Sequence, residues 1–317
     1  MARYLVLHDL RSDQYGAYDT LIYCGVTGFF TLKIGSKQRT HRFFHLEHKV
    51  GDVSQSNDTI ISNYIAKKAI RNASAEQFKV SELLTTPGYT IGRIVRPANG
   101  FGAVYAYKTD EKSTNEYLDL YAQINAFMNR LSEISRVVHP TKENFSAHGY
   151  EIRSLLILAC TEVELLFKRI LFERPSRNNQ NMANFFKLTK LAKLDEYSVT
   201  FNFFREFGNI EPFSDWSGIP HYQPLWWYQS YNKTKHDRHS EFTAASLKSL
   251  IYSIAACAIL LKAHSPLSVF GSKRHPLVEN FETNFTLKSP NWAKNEQYWM
   301  IPGRPLKMIP VSEAKII

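Results

Sequence analysis

Hydrophobic positions change their spacing near residue 110, and this change predicts two structural regions. Before it, short segments rich in aromatic and β-branched residues alternate with glycine turns, which is typical of strands. The predicted strands are Tyr4–Leu7, Leu21–Cys24, Gly28–Ile34, His41–Leu46 and Ala103–Tyr107. A helix from about Thr59 to Arg71 interrupts them, with its apolar residues on one face. Residues 1–110 are therefore expected to form a small α+β domain that recognises a ligand or nucleic acid.

After residue 110 the apolar residues follow a helical period instead. A segment from Tyr150 to Phe172 is apolar on almost all sides of its middle, so we place it at the centre of a helical bundle. Two further helices are predicted over about 113–131 and 182–194. A last helical segment begins at Trp226 or Trp227 and ends near Ala263, and it either continues or restarts near Ser240. The fold class expected for residues 111–265 is an all-α bundle, with an irregular C-terminal tail, residues 266–317, packed on it.

Charge and cysteine content narrow the class of protein. The 317 residues carry a formal net charge of +10, which favours polyanionic partners such as nucleic acid, nucleotides or an anionic membrane surface. Cys24, Cys160 and Cys257 are far apart and show no metal-binding spacing, as expected of a reduced cytoplasmic protein. The longest apolar stretch, Leu250–Leu261, is shorter than the roughly 20 residues that a membrane span needs, so we expect a buried helix and no membrane.

The most unusual chemistry lies in a stretch of nine residues that we call the basic turn, Tyr231 to His239. Helical spacing places Asn232, Lys235, His236 and His239 on one face, flanked by Lys233 and Arg238. Cations and histidines together favour a phosphodiester ligand, because histidine moves protons and the cations stabilise charge on the phosphate oxygens. The pattern therefore indicates RNA cleavage without a metal ion. A solvated helical face with structural histidines remains an alternative.

Two neighbouring groups bear on that hypothesis. The predicted central helix carries Glu162, Glu164, Lys168 and Arg169, and Glu164 and Lys168 have the spacing of a helical ion pair. These groups, with Arg153, either face the basic turn and hold His236 or Lys235, or form a structural ion pair. Aromatic residues precede the basic turn, and either stack nucleic-acid bases or pack the helix start on the core: Trp226, Trp227, Tyr228 and Tyr231.

A second basic cluster lies in the N-terminal region. Its candidate nucleic-acid contacts are Lys33, Lys37, Arg39 and Arg42, interleaved with aromatic residues. An ordinary solvated hairpin is the alternative, and His41, His45 and His48 raise a metal interpretation. We expect no metal site, because the third histidine is out of phase with the others and no carboxylate pattern accompanies them. We expect no cofactor, because the phosphate-binding glycine motifs are missing from the sequence.

The helical region resembles the bacterial HEPN superfamily over roughly residues 113–264. The segments that carry the resemblance are Glu151–Glu164, Trp226-Trp227 and Tyr231–Arg238. The resemblance implies an up-and-down helical bundle. It also implies a metal-independent endoribonuclease of phage defence or toxin–antitoxin systems, which dimerises so that two copies of the motif line one groove.

The superfamily motif consists of arginine, a polar residue, a few further residues and histidine. Asn232 and His236 match the polar residue and the histidine, and Glu164 with Lys168 resembles the acidic-x3-Lys element of some members. Tyr231 stands where the arginine is expected. Either a neighbouring cation replaces its charge, or the domain has lost cleavage and kept binding.

The sequence thus leads to one main hypothesis and two alternatives. In the main one, His236 is the general acid/base of RNA cleavage, and the other residues have the following roles: phosphate stabilisation by Lys233, Lys235 and Arg238, positioning by Asn232, and support from Glu164, Lys168, His239 and Tyr231. The first alternative is a non-catalytic module that binds RNA, a nucleotide or a protein partner encoded in a defence operon. In the second, the basic turn is structural and function lies in the N-terminal region.

Overall fold

The computed structural model shows a mixed α+β architecture, so the expected α+β class is confirmed at this level. The residues that it describes are 3–10, 20–25, 27–34, 44–52, 54–68, 73–99, 111–171, 181–236, 240–265, 275–299 and 306–311.

Strands dominate the first part of the chain and helices the second. The strands are β1 (Arg3–Asp9), β2 (Thr20–Gly25), β3 (Gly28–Ile34), β4 (Phe44–Gly51), β5 (Phe78–Glu82), β6 (Tyr89–Ile91), β7 (Ala98–Asn99), β8 (Ser198–Phe201), β9 (Asn209–Ile210), β10 (Phe285–Lys288), β11 (Tyr298–Trp299) and β12 (Lys307–Ile309). The helices are α1 (Asn57–Lys68), α2 (Glu111–Ser135), α3 (Tyr150–Leu171), α4 (Met182–Phe186), α5 (Leu188–Ala192), α6 (Trp226–His236), α7 (Leu247–His264) and α8 (Pro276–Asn284).

The N-terminal sheet is antiparallel, with the strand order β4-β3-β2-β1-β5. Side chains alternate between its faces. Leu5 and Leu7 of β1 pack in one core cluster with Ile60 of α1, whereas Val6 packs on the other side with Trp299 of β11. The two faces of β1 therefore pack in two cores, one under α1 and one against the C-terminal segment.

Most of the predicted N-terminal elements are confirmed, with shifted ends. The strand predicted over His41–Leu46 corresponds to β4, which spans Phe44–Gly51. The helix predicted over about Thr59 to Arg71 corresponds to α1, which spans Asn57–Lys68. Strand β5 does not follow from the sequence, because only Phe78 of its five residues is buried and its alternation is too weak. The predicted strand Ala103–Tyr107 lies outside the described residues.

The C-terminal segment is bound to residues that precede the helices. Strand β12 pairs in parallel with β6, and β11 pairs in parallel with β7. Between these pairs Arg96, which is 3% exposed, donates hydrogen bonds to the carbonyls of Leu191 (2.6 Å) and Glu296 (2.9 Å). Its guanidinium lies 4.8 Å from the centre of the Trp292 ring. Arg96 lies in the junction segment, which we define as residues 89–99 from β6 to β7, and it joins this segment to the helices and to the C-terminal segment.

The prediction of an irregular tail from residue 266 is wrong for the described residues 275–299 and 306–311, which contain α8 and three strands. Helix α8 begins with proline at its first position, and Nδ1 of His275 accepts a hydrogen bond from the Leu277 amide at 3.2 Å. The helix has nine residues, and its buried residues Val278, Phe281 and Asn284 are spaced three apart on one face.

The second region is not purely helical either. Strand β8 lies between β10 and β9 in a three-stranded sheet, where the sequence predicts a strand-like or extended piece from Val199 to Phe204. The prediction of an all-α region is wrong in this respect. The strands have two to four residues each, and β10 comes from the segment that was expected to be irregular.

Helix α7 is the most enclosed of the described helices, with 15 of its 18 residues buried. It is long and apolar enough to cross a membrane by length and composition alone, but 83% of it is buried inside the protein, as in the core helices of soluble proteins. Helix α3 packs against α7 and contacts α2 and α6. Helix α6 ends at His236, and α7 begins after Ser246, whose hydroxyl accepts a hydrogen bond from the Ser249 amide, so the two are separate helices.

Candidate functional site

Helix α6 has one face in the core and one in solvent. Trp227, Tyr231 and Thr234 are buried, and their spacing of four and three residues places them on one side of the helix. Asn232 and Lys235 are exposed. The helix therefore holds its polar and cationic side chains in solvent because its aromatic side chains fix the opposite face in the core.

The end of α6 is secured from α3. Nη2 of Arg153 donates a hydrogen bond to the carbonyl of Thr234 at 2.9 Å. The carbonyls in the last turn of a helix lack partners within the helix and carry partial negative charge, so a guanidinium stabilises them. Arg153 thus reaches the basic turn through the Thr234 carbonyl, whereas one of the two sequence interpretations has it hold His236 or Lys235.

Tyr231, which occupies the position of the expected arginine, is 2% exposed. Its hydroxyl accepts a hydrogen bond from Nζ of Lys235 at 3.0 Å, and this Nζ lies 5.1 Å from the centre of the Tyr231 ring. The hydrogen bond to Tyr231 raises the pKa of Lys235, so the ammonium group stays charged at neutral pH. The positive charge beside Tyr231 is therefore carried by Lys235, one helical turn further on.

Glu164 of α3 faces α6 but does not pair with Lys168. Its Oε1 accepts a hydrogen bond from the hydroxyl of Tyr228 at 2.7 Å, whereas Lys168 is exposed and forms no ion pair with Glu164. Burial and this hydrogen bond raise the pKa of Tyr228, so the phenol remains a donor. The predicted contact of Glu164 with the helix of the basic turn is thus made through Tyr228, and not through a salt bridge to Lys235.

A cleft of about 390 Å³ opens between α3, α4 and α6. The polar side chains that line it are Glu164, Asn181, Tyr222, Tyr228 and Asn232. Met182 and Phe185 of α4 contribute an apolar part of the wall. Two residues of the predicted site, Glu164 and Asn232, therefore line a single cavity.

Trp226 and Trp227, which the sequence predicts as nucleic-acid contacts, lie in different environments. Trp227 is completely buried, and its Nε1 donates a hydrogen bond to the carbonyl of Pro212 at 2.8 Å, so it cannot stack on a base. Trp226 is half-buried, and its ring centre lies 4.7 Å from that of Tyr252. Nζ of Lys248 lies 4.8 Å from the centre of the Trp226 ring. The prediction is wrong for Trp227, because its ring packs the start of α6 on the core.

Several predicted residues lie partly or wholly outside the described part of the chain. His236 is the last residue of α6, but its side chain lies outside the described part, as do Arg238 and His239 altogether. In the N-terminal cluster, Lys33 is described by its backbone alone, which pairs with that of His45. The other three cations of that cluster, Lys37, Arg39 and Arg42, lie outside the described residues. The described residues contain no group of three side chains able to hold a metal ion.

Sequence reasoning did not assign Asn181, Tyr222 or Tyr228 a place in a common cavity. The cleft brings them together from three separate stretches of the chain. A signal for Asn181 exists, because its side chain accepts a hydrogen bond from the Asn184 amide and caps α4, as asparagine often does before a helix. No family model, curated protein or solved structure matches this chain.

Proposed function

We propose that the protein binds single-stranded RNA at the end of α6 and cleaves it without a metal ion. The observation that carries the proposal is the exposure of Asn232, Lys233 and Lys235 on the turn that ends at His236. The opposite face of the same helix is buried, so the core fixes the position of this cationic surface. Phosphate groups are the natural ligands of clustered lysines, and they account for most of the affinity of proteins for nucleic acid.

In this reaction His236 takes the proton of a ribose 2′-hydroxyl, and the 2′-oxygen forms a bond to phosphorus. The bond between phosphorus and the 5′-oxygen breaks, and the 5′-oxygen receives a proton from the second copy of the basic turn that a homodimer supplies. The products are a 2′,3′-cyclic phosphate and a 5′-hydroxyl. Asn232 positions the phosphate, while Lys233, Lys235 and Arg238 stabilise the negative charge on its oxygens.

This proposal includes a HEPN-like arrangement of the helices and a role in phage defence or a toxin–antitoxin pair in the cytoplasm. Its support is the order of the helices together with the residues of α3 and α6. Glu164 and Asn232, which the resemblance selects, line one cleft, and Arg153 of α3 holds the end of α6.

The test compares cleavage of a 5′-labelled single-stranded RNA in excess EDTA by the unmodified chain and by His236→Ala. We expect loss of general acid/base catalysis to slow cleavage by about 100-fold or more while RNA binding persists. His139→Ala, which removes an exposed histidine after α2, is the matched control and should cleave normally. Equal cleavage by the unmodified chain and His236→Ala contradicts the role of His236, and so does the absence of cleavage by the unmodified chain.

A second candidate function is RNA binding without cleavage, and the burial of Tyr231 favours it. An arginine at this position of the motif is expected to reach the phosphate, whereas the Tyr231 ring is buried in the core. This candidate predicts binding that weakens with salt and is reduced by Lys233→Ala and Lys235→Ala, with no turnover. Fluorescence anisotropy at several salt concentrations, run beside the cleavage assay, separates the two functions.

A further inference from the structure

We propose that the cleft between α3, α4 and α6 is a base-recognition pocket that binds an unpaired guanine. This inference rests on the proposed function, since it takes RNA as the ligand. Its volume of about 390 Å³ falls within the range of small-molecule sites, and a nucleobase fits a cavity of this size. Single-stranded RNA is read in this way, with a base splayed out, stacked on an aromatic side chain and hydrogen-bonded along its edge.

The chemistry of Glu164 selects the base. An ionised carboxylate only accepts hydrogen bonds, and its two oxygens accept about four between them. Oε1 accepts the Tyr228 hydroxyl, and Oε2 has no hydrogen-bond partner within the described part of the chain. Each carboxylate oxygen can accept about two hydrogen bonds, so Oε1 can accept a second one while Oε2 accepts its first, and a ligand with two adjacent donors can bond to both.

Guanine is the base that offers them. Its Watson–Crick edge carries N1–H beside the N2 amino group, so both oxygens of a carboxylate can accept at once. Adenine and cytosine place an accepting ring nitrogen next to their amino group, and a carboxylate is repelled by that lone pair. Uracil has a single N–H between two carbonyls. A carboxylate in a base pocket thus favours guanine over the other three.

The amide of Asn181 complements the carbonyl of guanine. Oδ1 of Asn181 accepts a hydrogen bond from the Asn184 amide at 3.2 Å, which leaves the NH₂ group as the part able to donate to a ligand. Asn232 lines the cleft from α6 as a second amide. These groups suit O6 or N7 of a purine, which accept hydrogen bonds.

An aromatic side chain and the basic turn complete the pocket. Tyr222 is half-buried, and its ring meets those of Phe186 and Trp216 at centroid distances of 6.2 and 6.3 Å, which hold it at the cleft wall as a stacking surface. Asn232 and Lys235 are three residues apart on α6 and therefore share a face. A base bound beside Asn232 places its phosphate next to the lysines of the basic turn.

The experiment measures the affinity of the full chain for 5′-labelled octamers of RNA by fluorescence anisotropy in EDTA. The octamers are all-adenosine, or contain one guanosine or one inosine, which lacks the N2 amino group. We expect the guanosine octamer to bind about 10- to 100-fold more tightly than the all-adenosine octamer, with inosine between them. Glu164→Gln should abolish this preference and keep the salt-dependent affinity, whereas Glu162→Gln, two residues away on α3 and outside the cleft, should retain it.

Each result has a defined meaning. Equal affinity for the guanosine and all-adenosine octamers overturns the pocket while leaving RNA binding intact, and so does a preference unchanged in Glu164→Gln. Binding of guanosine monophosphate, lost in Glu164→Gln, without binding of any octamer supports the guanine pocket and overturns RNA as the ligand. The inosine octamer keeps the test decisive if Glu164→Gln does not fold, because it alters the ligand and leaves the protein unmodified.

Discussion

His264, at the end of α7, makes the stability of the fold sensitive to acid. Its ring is fully buried, and neither ring nitrogen has a hydrogen-bond partner among the described residues. The ring centre lies 5.0 Å from that of Tyr117. Burial, and secondarily the positive charges of Arg93 and Arg169, lower the pKa of His264 to about 3. The imidazole is therefore neutral in the folded protein well below the pH at which histidine is normally protonated.

The consequence for stability follows from proton binding. In the unfolded chain the histidine has a pKa of about 6.5, so between that pH and about 3 the unfolded state binds a proton that the folded state does not. The free energy of unfolding must then fall as the pH is lowered through this window. The loss approaches about 1.4 kcal/mol per pH unit and amounts to about 2 kcal/mol at pH 5 relative to pH 7.5.

The assay is urea denaturation followed by circular dichroism at pH 7.5 and pH 5 for the unmodified chain and His264→Leu. The leucine variant lacks the titrating group, so its loss of stability between the two pH values should be about 2 kcal/mol smaller. At pH 7.5 the replacement should cost little, because it also removes two buried nitrogens that lack partners. His221→Leu, at an exposed histidine, should behave like the unmodified chain. Equal pH dependence of the unmodified chain and His264→Leu refutes the reasoning.

Two further predictions concern the junction that joins the N-terminal sheet to the helices. Arg96→Lys should lower the free energy of unfolding by about 2 kcal/mol or more in urea denaturation, because an ammonium group cannot donate to both carbonyls and stack on the rings at once. A loss below about 0.5 kcal/mol contradicts this role. Gly92→Ala should lower the free energy of unfolding by at least about 2 kcal/mol and should lower the thermal midpoint accordingly. The reason is that Gly92 has a φ of +51° and that an added Cβ falls 2.5 Å from the carbonyl oxygen of Ile170. Gly149→Ala, where nothing lies within 4 Å of the added carbon, is the control and should lower the thermal midpoint much less.

The predicted elements that the structure confirms are those whose pattern is long enough to repeat. Helix α3 spans 22 residues and lies within one residue of its predicted bounds, and β3 matches its prediction. Strands β11 and β12 have two and three residues, and their hydrogen-bond partners lie about 200 residues earlier in the chain. No local pattern encodes such a pairing, so the sequence alone does not predict it.

In the candidate site, too, local patterns are predictable from the sequence and long-range contacts are not. The basic turn and Glu164 follow from residue types and spacing, because they lie on two predicted helices. The burial of Trp227 and Tyr231 can also be predicted from helical spacing, since both share a face with Thr234 and lie opposite the exposed lysines. The cleft cannot be predicted in this way, because Asn181 and Tyr222 reach it from outside the predicted helices and their positions depend on tertiary packing, such as that of Phe185 on Phe167.

The position of Tyr231 links the two proposals and allows them to be separated. The phase of α6 directs this residue into the core, where a guanidinium would lose its hydration. A tyrosine satisfies that position, since its ring is buried while its hydroxyl accepts the Lys235 ammonium. The cationic group at this point of α6 is therefore the ammonium group of Lys235, which lies closer to the end of the helix that carries His236. In the proposed cleavage the reacting side chains belong to the last turn of α6, whereas the proposed guanine recognition rests on Glu164 of α3. His236→Ala is therefore expected to lower turnover and keep the base preference, whereas Glu164→Gln is expected to remove the base preference.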